Sequence, residues 1–277
     1  MMRMSYRLGM CVLACALVLA AGTKASGQVK FDRGQNVVPV FEGWMKNADG
    51  TFTMVFGYFN RNWQEELTLP VGPGNTFEPG AADRGQPTYF LPRRQRYMVL
   101  VPVPADWGKR DLVWTLTANG VTEKAYGSLH PELELKYRNV ATGGNFSGEL
   151  EEASDGPVNR QPTVAVDAAS TISLPNSLTL TASVTDDGLP KPRPVRPNQT
   201  PRPQGLRVTW MQYRGPGKVS FTPADPISVT NGRAVATATF SMPGTYVFRA
   251  MVTDGEFQTP TLVTVTVNSG PSTRVQR

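Results

Sequence analysis

Two groups of side chains in this sequence have the types and spacing to do chemistry. The first is a set of four carboxylates. Asp186 and Asp187 close a strand predicted from Ser177, and Asp254 and Glu256 follow the alternating stretch Met242–Thr253. In a two-sheet sandwich the loops after the second and sixth strands share a pole, so the fold would gather these acids. Gathered acids can hold Ca²⁺, which takes roughly six to eight oxygen ligands. They can also cap their own turns at Asp187-Gly188 and Asp254-Gly255, with nearby arginines as counter-charges. Both readings are open. The frequency of Asp-Gly as a turn pair favours capping, and calcium is the one cofactor the residues suggest.

The second group lies in Gly72–Arg96, GPGNTFEPGAADRGQPTYFLPRRQR, a stretch with little regular pattern. A loop of this length inside a compact domain is uncommon and often functional. Arg84, Arg93, Arg94 and Arg96 alternate there with Phe77, Tyr89 and Phe90. Guanidinium forks beside aromatic rings suit anionic or sugar ligands. Arg84, Tyr89, Arg93 and Arg94 are therefore the candidate ligand-binding residues. The competing reading is a solvated loop whose aromatics pin it to a sheet.

No catalytic residue is assigned. The single histidine, His130, sits beside Pro131 and has no partner readable from the sequence. A zinc site needs three or four ligands, usually with His or Cys among them. There is no Gly-x-Ser-x-Gly elbow, phosphate loop or dinucleotide fingerprint. Glu65-Glu66 is a carboxylate pair on an expected exposed turn, and a glycosidase pair is defined by a separation across a cleft, not by adjacency. The expectation is a protein that is not an enzyme.

The N-terminus reads as an export signal over residues 1–27. Arg3 and Arg7 precede the apolar run Leu8–Ala21, and small polar residues from Thr23 to Gly27 suit cleavage near Ala25 or Gly27. Lipidation at Cys15 is a rival, disfavoured because the apolar run continues through Leu19; an uncleaved anchor is another. Cys11 and Cys15 are the two cysteines, so the chain beyond the signal has none and must be held by its cores. The net charge is +6. Export argues against nucleic acid as a partner and leaves anionic glycans, lipid head groups or cell-wall polymers. No membrane span is expected in the mature chain, which would be secreted or periplasmic. Its oligomeric state stays open.

These residues need a scaffold, and period-two alternation supplies one. In Met242–Gly255, Tyr246, Phe248, Ala250 and Val252 share one face, and Val247, Arg249, Met251 and Thr253 the other. Phe52, Met54, Phe56 and Tyr58 form a similar stripe, read as core in preference to a sugar platform. Asp49-Gly50 and Asn119-Gly120 are hairpin turns, because Gly and Asn/Asp reach positive φ cheaply. Further strands are predicted at Val37–Trp44, Leu67–Val71, Tyr97–Val103, Leu112–Leu116 and Val121–Tyr126, with Leu133–Tyr137 closing the sheet. A second series covers Thr163–Val166, Thr171–Leu174, Ser177–Thr185, Leu206–Tyr213, Lys218–Thr222, Arg233–Ser241 and Thr261–Val267. Between the series, residues 139–161 are poor in apolar groups and read as a flexible linker. The expectation is an all-β protein with two immunoglobulin-like β-sandwich domains in tandem, at 37–138 and 162–268, and a disordered tail at 269–277.

The motifs VTDDGLP, VTWMQYRGPGKVSF, ATFSMPGTYVFRAMVTDGE and VTVTV, between Pro162 and Asn268, resemble the PKD-type (polycystic-kidney-disease-like) module of extracellular proteins. The resemblance implies a β-sandwich used as a spacer or to bind protein or carbohydrate, without catalysis. It departs from that pattern in a proline-rich basic insertion, Leu189–Gly205, expected to be extended. The first half, with FEGW, FGYFNRN and LVWTLTANG, is similar to uncharacterised exported bacterial proteins, which implies no activity. The function expected is an exported, non-catalytic binding, adhesion or scaffold module contacting extracellular protein or glycan. The alternative is an exported carbohydrate-active enzyme with a catalytic first module.

Overall fold

Residues 30–144, 158–191 and 204–270 are described by the computed structural model. The expected signal peptide, part of the linker, Arg193, Arg196 and Arg202 of the insertion, and most of the tail lie outside the described residues. The described residues from Asp32 onward belong to one compact unit, which contains both strand series.

The first series builds a sandwich from β1 (Val37–Lys46), β2 (Phe52–Asn60), β3 (Leu67–Thr68), β4 (Asn75–Glu78), β5 (Tyr89–Phe90), β6 (Arg93–Val103), β7 (Leu112–Ala118) and β8 (Val121–Gly127). One sheet has the order β1-β2-β6, a second β4-β7-β8, and β3 and β5 pair separately. All these pairings are antiparallel. The aromatic stripe of β2 points into the core as expected. Phe56 meets Phe77 and Trp114 edge-on at 5.2 and 6.2 Å, and Phe77 stacks on Trp114 at 5.4 Å. Such pairs contribute beyond the area they bury.

Two expectations for this half differ from the fold. Gly72–Arg96 is not wholly irregular, because it contains β4, β5 and the start of β6. Leu133–Tyr137 does not close a sheet as a strand. A 3₁₀ turn, Pro131–Leu133, hooks the chain onto β1, where Leu135 N–H donates to the Trp44 carbonyl at 2.7 Å and the Trp44 indole donates to the His130 carbonyl at 2.8 Å. The chain then enters a short helix, α1 (Tyr137–Ala141).

The second series builds an immunoglobulin-like sandwich. Its strands are β9 (Thr163–Ala168), β10 (Thr171–Ser173), β11 (Leu178–Thr185), β12 (Arg207–Arg214), β13 (Val219–Thr222), β14 (Ile227–Ser228), β15 (Arg233–Phe240), β16 (Gly244–Thr253) and β17 (Gln258–Asn268). The sheets run β13-β15-β11-β9 and β10-β17-β16-β12-β14. The chain changes sheets between β9 and β10. The former pairs antiparallel with β11 and the latter parallel with β17. Each sheet thereby gains a short edge strand, which limits exposed unpaired backbone.

Tyr246, Phe248, Ala250 and Val252 are all fully buried, as their alternation predicts. The Tyr246 hydroxyl donates to the Met242 carbonyl at 2.7 Å, closing a corner at the start of β16. Trp210 belongs to the same core cluster as Ala182 and Phe248.

The other face of β12 and β16 is where the structure exceeds the pattern. Tyr213 is 3% exposed and belongs to the core of the first sandwich, with Met211 and Val247 packed against it. Arg249, on the face opposite Tyr246 and Phe248, is 4% exposed. This strand pair is buried on both sides.

Truncating Trp210 to Ala should destabilise the protein by about 3–5 kcal/mol, as loss of a core aromatic does. Chemical denaturation gives the value, and a loss below about 1 kcal/mol would place the ring outside the energetic core.

Candidate functional site

The loop between β3 and β6 is held by amide side chains. Asn75 is fully buried. Its amide nitrogen donates to the Leu69 and Pro87 carbonyls, and its oxygen accepts from the Trp114 indole at 3.0 Å. Gln86, also fully buried, accepts from Arg84 N–H and donates to the Ala82 and Asn75 carbonyls. Asn60 donates to the Glu65 and Phe90 carbonyls and accepts from Asn62, which in turn clasps the backbone of Gln35. A buried loop carries backbone groups that water cannot reach, and these amides serve as their partners.

The second sandwich docks on this loop. The Tyr213 hydroxyl donates to the Gly85 carbonyl at 2.7 Å, with the Met98 carbonyl 3.1 Å away. Thr88 N–H donates to the Tyr213 carbonyl at 3.1 Å. Arg214 Nε donates to the Gln86 carbonyl at 2.7 Å, and its two terminal nitrogens grip both oxygens of Asp83 at 3.0 and 2.7 Å. The fork of Arg214 holds the Asp83 carboxyl below the usual carboxylate range. Lys218 pairs with Glu66 at 2.8 Å. Arg249 donates to the Tyr97 carbonyl and to the Met98 sulfur. Burial pushes the Tyr213 phenol up to about 12 and draws the Arg249 guanidinium down from its ordinary value, opposed by the nearby phenols of Tyr213 and Tyr58.

Three of the four candidate loop residues are engaged inside the fold. Arg84 folds back to the Ala81 and Pro79 carbonyls. Tyr89 is 6% exposed and donates to Glu66 at 2.6 Å; burial, then Glu66, push its phenol well up. Arg94 crosses Gly57 to pair with Glu42 at 2.6 Å and donates to the Tyr58 and Gln95 carbonyls. A Cβ on Gly57 would lie 2.3 Å from the Glu42 oxygen and 2.8 Å from the Arg94 guanidinium, so glycine makes room for the pair.

Arg93 behaves differently. Its guanidinium lies over Phe59 at 4.9 Å and over Trp63 at 4.1 Å. Its φ is +68°, a left-handed value that costs a non-glycine residue about 1–3 kcal/mol. Trp63, absent from the candidate set, is 40% exposed. The signal that could have found it is its position: a lone tryptophan in the polar turn NRNW, outside any alternating stripe.

The four carboxylates do meet at one pole. Asp254, 3% exposed, accepts from Glu256 and Phe257 N–H, both at 2.7 Å, and from the Asn159 amide at 3.2 Å. Glu256 pairs with Arg138 and accepts from Asn159 at 2.9 Å. Asp187 accepts from Leu189 and Arg160 N–H, and Asp186 from Gly188 N–H. Burial, followed by the charges of Asp254 and Asp187, raises the Asp186 carboxyl above its ordinary value. Among the described residues, no three His, Cys, Asp or Glu side chains converge in an arrangement able to hold a metal ion. These contacts also fasten the described ends of the expected linker, since Gln161 donates to the Gln258 carbonyl as well.

Comparison with known proteins gives little beyond this geometry. No family model matches the chain, and no curated protein matches it. Among solved structures, it is similar to a conjugative transposon lipoprotein from Bacteroides eggerthii (11% identity, 38% of this chain and 95% of that one, TM-score 0.27). It is also similar to the D00-D0 domain of intimin (13% identity, 83% and 98%, TM-score 0.27). A third match is domains 4 and 5 of the S-layer protein SbsC (14% identity, 89% and 96%, TM-score 0.25). At these scores the functional reading rests on the chain's own geometry.

Two titrations check this description. The Asp83–Arg214 pair lowers the folded-state pKa of Asp83, so its stabilisation is present above the unfolded value, near 4, and is lost as pH falls through the folded value. The Tm difference between wild type and Asp83→Asn should hold between about pH 5 and 7 and shrink below about pH 4. Asp186 has the opposite sign. Its raised pKa favours the protonated form, so ionisation weakens the fold as pH rises through the raised value. Asp186→Asn, which keeps an acceptor for Gly188 N–H, should raise Tm at pH 7, and a fall would contradict the assignment.

Proposed function

We propose that this protein is an exported, non-catalytic binding or scaffold module of the cell envelope or extracellular space, contacting glycan or protein through its first sandwich. The observation that carries the reading is the docked junction. Side chains of β12 seat on main-chain carbonyls of the β3–β6 loop and Arg249 of β16 on the Tyr97 carbonyl of β6, so the loop is held rigidly and its outer edge is presented on a fixed frame. Binding surfaces on loops backed by rigid elements lose less entropy on engaging a ligand. The N-terminal sequence supports export. The second sandwich acts as a PKD-type spacer in this reading, and the Tyr246 corner is in keeping with that.

The test is retention of the full-length protein on isolated envelope material, read beside release of reducing sugar ends. Retention without release is the expected result. Turnover abolished by changing a single acid would replace this reading with an exported carbohydrate-active enzyme.

Calcium is a second proposal, for the acid pole alone. Asp186 Oδ1 and Asn159 Oδ1 are buried oxygens with no hydrogen-bond partner among the described residues, and oxygen is the ligand Ca²⁺ takes. A ligand that binds only the folded state raises Tm by mass action. A Tm increase in millimolar calcium over chelator, absent in Asp254→Asn, would support it. An unchanged melting curve would leave the acids as turn caps.

A further inference from the structure

The end of the β2–β6 ladder carries a surface that the candidate residues only brush. Phe59 and Arg61 flank the inward Asn60 and so fall on the opposite side of β2's end from it. Arg93 faces Asn60 across the ladder and lays its guanidinium over the rings of both Phe59 and Trp63. Its Nη1 reaches the Arg61 carbonyl at 3.4 Å. Arg61 reaches Asn36 Oδ1 at 3.4 Å.

Three facts set this shelf apart from the rest of the loop. Among the described residues, neither Arg61 nor Arg93 has a carboxylate within ion-pair distance, whereas Arg94, Arg138 and Arg214 each do. The nearby acids are occupied. Glu65 accepts from Gly34 N–H at 2.7 Å, and Glu66 from Tyr89 and Lys218. And Trp63 is the one exposed large hydrophobic residue described between Asp32 and Val99.

Resting on the reading that the first sandwich makes the contact, we propose that Trp63, Arg93 and Arg61 form a binding shelf for an anionic glycan: a pyranose ring on the indole, with its acidic group on the guanidinium pair. The stack on Phe59 and Trp63 holds the Arg93 side chain extended, so little rotamer freedom is lost when an anion binds. A guanidinium offers two parallel donors to a carboxylate or phosphate, and with no counter-ion among the described residues that capacity is left to the ligand. A single exposed tryptophan suits the apolar face of one sugar ring. It is a poor match for a protein interface, which buries about 800 Å² per partner around an apolar centre. The net charge, +6 for the whole sequence and +3 once Arg3, Arg7 and Lys24 of the expected signal are removed, adds long-range attraction for an anion.

The anion can be a uronic-acid carboxylate or a sugar phosphate, and the assay separates them. Binding of the full chain is measured by calorimetry to a uronic-acid hexasaccharide, a phosphate-bearing oligosaccharide of similar length, a neutral hexaglucoside and a poly-glutamate peptide. The expected result is binding to one or both anionic glycans, weakened at least tenfold by Trp63→Ala and by Arg93→Gly, and weakened by salt. The neutral sugar should bind much more weakly. Arg93→Gly suits the fold, because glycine accepts φ +68° without strain, and Trp63→Phe keeps a ring should the alanine variant melt early. Equal affinity for the neutral sugar, or capture of the peptide alone, overturns the proposal. Binding unaffected by any of these substitutions overturns the shelf but leaves the wider reading standing. That reading fails separately, if envelope retention is absent.

Discussion

The structure depends on one strand pair having two insides. The inner faces of β12 and β16 carry Val208, Trp210, Phe248 and Ala250 into the second core, while their outer faces carry Tyr213 into the first. Arg249 is the physical difficulty in this arrangement. A buried guanidinium loses its hydration, and no carboxylate is paired with it among the described residues. Its contacts are the Tyr97 carbonyl and the Met98 sulfur. An arginine stays protonated under such stress where a lysine would discharge, so the cation is kept and the geometry around it is fixed.

The receiving surface had to be stiff for this to work, and its stiffness comes from short amides. Asn75 bonds to Trp114 of β7 as well as to the loop itself, Gln86 bonds across the loop, and both are fully enclosed. A network in which every member is satisfied specifies one arrangement, whereas a half-satisfied one would destabilise it. The loop is therefore less an ornament on the first sandwich than the floor on which the second stands.

How much of this could be read from the residues alone differs from element to element. Tyr246, Phe248, Ala250 and Val252 declared their face, because alternation reports burial on one side of a strand. It says nothing about the other side when that side meets a separate surface, so the burial of Arg249 beside Val247 and Met251 is not readable from it. Asn75 and Gln86 were opaque for a related reason. Polar residues in a Gly- and Pro-rich stretch read as solvated, and their enclosure depends on contacts with Trp114 and Ala82 that no local pattern encodes. The loop arginines were visible as a group, but only the fold separates Arg94, locked to Glu42, from Arg93, stacked on the surface. The acid pole was legible because strand order alone brings its loops together.

The junction has an asymmetry in what it reads. On the side of the second sandwich the contacts are made by particular side chains: Tyr213, Arg214 and Arg249. On the side of the first sandwich the acceptors at Gly85, Gln86 and Tyr97 are peptide carbonyls, which every residue type carries, with Asp83, Glu66 and Met98 as the side-chain partners. The two partners thus tolerate substitution unequally. Away from Asp83 and the buried amides Asn75 and Gln86, the loop can change side chains and still be recognised, provided its course is kept, while Tyr213, Arg214 and Arg249 cannot. Variation is channelled to the face that points away from the junction, so a protein built this way can alter what its loop meets without renegotiating how its two halves stay joined.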